Sequence, residues 1–166
     1  MKISLNIFSQ IKTRNIGFLI VLYSLISVQC NIDIPKEVEN EMLSLPEKVD
    51  FNYHVKPILS DRCYSCHGPD EKSRKAGLRL DIESVAFSKL ESNNRAFVKG
   101  NISGSESVHR ILSDDPEKHM PPPESNLSLS NREKAILIKW IDQGAEWKNH
   151  WSFITPKLPK IPKNIN

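Results

Sequence analysis

The sequence predicts an all-α fold, and three observations carry that prediction. Phe51, Val55, Ile58 and Leu59 recur at helical spacing and form a single apolar stripe. Ser130 and Glu133 have the spacing of a capping box. Ala135, Ile136, Leu137, Ile138, Trp140 and Ile141 follow them as a helix that Gly144 closes. Strand-like alternation is confined to the brief segment Gly77-Leu78-Arg79-Leu80-Asp81.

Taken from the start, residues 1–29 have the layout of an export signal. A short stretch with Lys2, Lys12 and Arg14 precedes an apolar run of 13 residues, Ile16 to Val28. That run suits a signal core and is short for a helix crossing a hydrocarbon layer of about 30 Å. An uncleaved membrane anchor is the alternative. Cys30 follows directly after Ser27-Val28-Gln29 and has the position of a lipidated cysteine at a bacterial lipoprotein cleavage site. Ordinary cleavage would instead leave Cys30 a spare thiol. Residues 30–48, with Pro35 and Pro46, are expected to be a tether, and the globular part is expected to begin near Val49.

Pro57 lies inside the first apolar stripe, so that helix is kinked there or begins nearby. Gly68-Pro69 breaks the chain, and a short helix is expected over roughly 82–90. Ser103 and Glu106 have capping-box spacing ahead of Val108, Ile111 and Leu112, and Asp114-Asp115-Pro116 ends that helix. His119 to Pro123 is expected to be extended, because three successive prolines fix φ and donate no N–H. Residues 148–166, with prolines at 156, 159 and 162, have a linker composition.

At 166 residues the chain has room for one modest core. Its net charge of +3 comes from the leader, because 20 basic and 20 acidic residues remain beyond position 29. A balanced chain has no general electrostatic reason to bind nucleic acid or an anionic membrane.

The chemistry concentrates in Cys63-Tyr64-Ser65-Cys66-His67. Cys-x-x-Cys-His is a signature of c-type haem attachment. Two cysteines three apart reach two vinyl groups on one porphyrin edge, and the adjacent histidine offers an imidazole to iron. A thioredoxin-like pair would want a βαβ setting, and a structural zinc site would want a second ligand pair. A disulfide across so small a loop would stabilise little.

A sixth iron ligand would come from Met120, from His119 or His109, or from no protein side chain. Methionine is the usual partner of histidine in electron-transfer cytochromes and raises the reduction potential. Met1 leaves with the leader and Met42 lies in the expected tether, so Met120 leads. Arg79 faces solvent or pairs with a haem propionate. No carboxylate pair, nucleophile–base set or phosphate loop marks the chain as an enzyme by itself.

Cys63 to Asp70, Gly77 to Asp81, Met120-Pro121-Pro122, and Leu129-Ser130 through Lys139 to Ala145 together resemble the Planctomycete cytochrome C domain, across about residues 49–147. The resemblance implies a small cytochrome c-like fold around one haem c. Cys63 and Cys66 would be its thioether residues, His67 the proximal ligand and Met120 the distal one. Together with the leader, Cys30 and the absence of catalytic sets, this leads to the expectation of an exported, non-enzymatic electron carrier, periplasmic or anchored to the outer membrane through Cys30, with a redox partner protein or a fused downstream domain. Asn149 to Phe153 resembles the junction leading into larger domains in polysaccharide-degrading bacteria, so a haem-containing accessory or sensor module is the second expectation.

Overall fold

The computed structural model describes residues 32–153 and 155. The expected leader, Cys30 and the end of the tail lie outside the described residues. Among the described residues there are helices and turns and no strand, with an isolated antiparallel bridge between Lys89 and Arg95. No helix among them is long and apolar enough to cross a membrane.

The expected tether is in large part folded. Helix α1 (Lys36–Ser44) starts after Pro35 and carries Glu37 and Glu39 in its first turn, where negative charge suits the helix dipole. Val38 and Leu45 are buried, and α1 packs along the C-terminal helix described below. The Gln143 side chain donates to the Glu47 carbonyl at 2.6 Å and accepts from the Val49 amide at 3.0 Å, stitching the segment down. Burying Val38 and Leu45 is worth about 1.5–3 kcal/mol each. The overlooked signal is Ile34, Val38, Met42 and Leu45, a sparse stripe at helical spacing.

Asp50 then opens the segment that carries the motif. Its carboxylate accepts from the Asn52 and Tyr53 amides, capping a π-helical turn (Phe51–Val55). The turn runs into α2 (Lys56–Arg62), with Pro57 in its first turn. Pro57 has no N–H to give the Tyr53 carbonyl, and the wider π turn takes up that irregularity. A one-turn helix, α3 (Tyr64–His67), follows.

The next helices are short. Helix α4 (Glu83–Ala86) is one turn, less than half the length expected from the sequence. Helix α5 (Glu106–Leu112) begins after Ser105, so the expected Ser103–Glu106 capping box does not form. Asn101 is the reason: its side chain accepts from the Gly104 amide and the Ser103 hydroxyl. The fully buried Ser105 hydroxyl donates to the Asn101 carbonyl at 2.7 Å and accepts from the Val98 amide at 2.8 Å. Glu106 is left to pair with Arg110 one turn on.

The proline segment bends into a 3-10 turn (Pro123–Ser125). Helix α6 (Asn131–Asp142) has the expected capping box, with Ser130 and Glu133 each bonded to the other's backbone amide. Gly144, at φ +96°, takes the left-handed conformation that ends it. Trp140 of α6 is buried against Phe51 and Phe97, with ring centroids 5.7 and 5.2 Å away, so α6 packs against the segment leading into the motif.

Candidate functional site

Helix α3 presents the motif on a single turn. The Cys63 carbonyl accepts from the Cys66 and His67 amides at 3.1 and 2.8 Å, holding both cysteines and the histidine on that turn. Gly68 follows because a Cβ there would collide with the Tyr64 carbonyl. The chain then folds back onto α3. The Lys75 amide donates to the Cys66 carbonyl and the Leu80 amide to the His67 carbonyl, each at 2.8 Å. Arg74 donates to the Gly68 and Pro69 carbonyls. This latch brings Ala76, Leu78 and Leu80 alongside His67.

The result is an open cleft of about 370 Å³, within the range of small-molecule sites. Cys63, His67 and Met120 all line it, and Leu59, Leu78, Leu80, Ala96, Phe97 and Leu137 supply apolar walls. A smaller recess is lined by the same three residues together with Cys66, Arg62 and Pro121. The Met120 segment is tied in by its amide, which donates to the Arg110 carbonyl at 3.1 Å.

The other sulfur and nitrogen candidates lie elsewhere. His109 bonds the Ser103 carbonyl at 2.7 Å and His119 the Ser113 carbonyl at 2.6 Å, and neither lines the cleft. His54 accepts from the Asp50 amide, and His150 bonds the Ser152 hydroxyl. Met42 is half-buried in α1. Arg79 makes two hydrogen bonds to Asp81 and does not line the cleft.

The electrostatics of the motif follow from burial. Burial pushes the Cys63 thiol up to about 12, and Glu133 adds to the rise, so the sulfur is a protonated thiol at neutral pH although its side chain keeps some contact with solvent. Reactive redox cysteines have depressed values, so Cys63 lacks the character of an attacking thiolate. Burial lowers the His67 pKa, with the Lys75 carbonyl opposing it, and the imidazole is neutral at pH 7. Its Nδ1 is buried without a hydrogen-bond partner among the described residues. Among those residues, no group of three or more His, Cys, Asp or Glu side chains is arranged to hold a metal ion.

This donor set fits a haem. It offers two thiols on one turn, a neutral imidazole with an orphaned buried nitrogen, a thioether sulfur and apolar walls. Sequence reasoning missed the cleft's polar side, formed by Glu91, Ser92, Glu106, Ser107 and Arg110. The available signal was the spacing of Ser107 and Arg110, one turn apart on a helix whose Val108 and Ile111 are buried.

An all-helical fold that brings Cys63, His67 and Met120 to one cleft, with Cys66 on the same turn lining the adjoining recess, has the features of a c-type cytochrome. Residues 63–124 match the family described as Planctomycete cytochrome C. The chain is also similar to hydrazine synthase subunit alpha of Kuenenia stuttgartiensis, 26% identical over 140 residues. That alignment covers 68% of this chain and 17% of the relative, so the chain spans a small part of the relative's length. No solved structure matches.

Proposed function

We propose that the chain is an exported single-haem c-type cytochrome that passes electrons one at a time. The observation that carries this reading is the convergence of Cys63, His67 and Met120 on one apolar cleft, within a segment that matches a cytochrome family. Cys63 and Cys66 would hold the macrocycle as thioethers, and His67 and Met120 would be its axial ligands. When bound, the haem supplies a ferrous–ferric couple. Leu59, Leu78, Leu80, Phe97 and Leu137 would wall a bound haem with apolar surface, and the low dielectric there, together with a methionine ligand, favours a raised potential. A redox partner protein, or a domain fused to this one, would receive the electron.

A second reading is that the chain is a haem module within a larger assembly. The alignment with a small part of an enzyme subunit favours it. Carbon monoxide separates a closed electron-transfer site from an open one. Reduced, haem-loaded protein is expected to keep its spectrum under carbon monoxide, since Met120 would hold the sixth position. Rapid conversion to a carbon monoxide adduct would contradict that and favour a sensing or catalytic module.

A further inference from the structure

Three features of the cleft's polar side bear on one question: where an anionic group of the cleft's occupant would be held. The Ser107 hydroxyl is buried and has no hydrogen-bond partner among the described residues, an arrangement that folded proteins avoid unless a ligand or water completes it. Arg110 is the cationic side chain among those lining the main cleft. Its Nε donates to Glu106 Oε1 at 2.7 Å, which orients the guanidinium and leaves the terminal Nη groups without hydrogen bonds among the described residues. Glu106 is engaged twice, since its other oxygen accepts from Asn94 at 3.0 Å. Glu91 is exposed at the rim, where water screens its charge.

Arg62 is the rival cation, and it is placed differently. It lines the smaller recess, adjoins Cys63 in sequence and is held by Glu133 at 3.0 Å. Attachment through Cys63 and Cys66 commits that side to the vinyl edge of a haem c, whereas the propionates are carried by other pyrrole rings. A guanidinium with free terminal N–H groups suits a carboxylate in the paired geometry, and a hydroxyl one turn away adds a third donor.

Resting on the haem reading, we infer that Arg110 and Ser107 bind a haem propionate, with Glu106 positioning the arginine. The backbone of Arg110 also holds the Met120 amide, so the anion site and the expected sixth ligand share one support.

The test uses full-length chain matured with covalent haem, and reads the propionate bending bands by resonance Raman together with the midpoint potential. Arg110→Gln is expected to shift those bands and lower the potential, because a positive charge beside the iron is lost. Ser107→Ala is expected to shift the bands less, Arg110→Lys to preserve the potential, and Glu106→Gln to raise it. Should Arg110→Gln fail to mature, Ser107→Ala and Arg110→Lys carry the test. Bands that do not move in the loaded variants overturn the inference, whatever the potential does. An unsubstituted chain that takes up no covalent haem overturns the haem reading and this inference together, whereas loaded protein with silent variants overturns this inference alone.

Discussion

Met120 lies in the proposed haem site and Asp50 in the scaffold, and single substitutions at each separate the two. Met120 lines the cleft beside His67, and its sulfur is the group expected to hold the reduction potential up. Met120→His should therefore lower the midpoint potential of loaded protein by more than a tenth of a volt, on the order of the spread that axial ligands impose; potentiometry with an unchanged value would assign the sixth position to another residue. Asp50 acts on the fold. Desolvation pushes its carboxyl up, but Lys148 at 2.5 Å and the Tyr53 and Asn52 amides outweigh that and hold it below the usual 3.8. A depressed carboxyl stabilises the fold above its unfolded value and loses that contribution as pH falls. Asp50→Asn, which keeps an acceptor for both amides, should cost stability at neutral pH, and its deficit in urea unfolding should shrink as pH drops below 3.8. A deficit independent of pH would contradict the role given to the charge.

At the scale of elements, the segment before the motif decides how the domain begins. Helix α1 lies on α6, and α6 packs on the turn that leads into the motif, so the three form one connected support for the cleft. Removing residues 1–48 would leave a tethered domain intact, but it should destabilise this one by about 3–6 kcal/mol through the loss of Val38 and Leu45 alone. Chemical denaturation of the shortened and full chains measures the difference, and equal midpoints would return the segment to the status of a tether.

For the molecule as a whole, what was legible in the sequence had strong local grammar. The Ser130–Glu133 capping box, the Gly144 stop and the stripe from Phe51 each rest on neighbours a few residues apart, and each is present in the fold. The motif was legible for the same reason, since its residues all lie within five positions. What escaped depends on contacts distant in sequence or on competition between equals. Helix α1 is held by α6 across about a hundred positions, and its stripe is diluted by Glu37, Glu39 and Glu41. Asn101 outcompeted Glu106 for the turn before α5, which spacing cannot foresee. The cleft's polar side is assembled from the segment near Glu91 and from α5, and only the folded chain brings them together.

Covalent attachment of one haem through Cys63 and Cys66 is the claim on which the rest stands. It is tested most directly by expressing the chain in a host that matures c-type cytochromes, then applying a haem-peroxidase stain after denaturing electrophoresis with an intact mass alongside. A stained band heavier by one haem, absent from the Cys63→Ala, Cys66→Ala double variant, is the expected result. A well-folded, unstained band at the mass of the polypeptide alone would contradict the account, because the cleft and its motif would then serve something other than a haem.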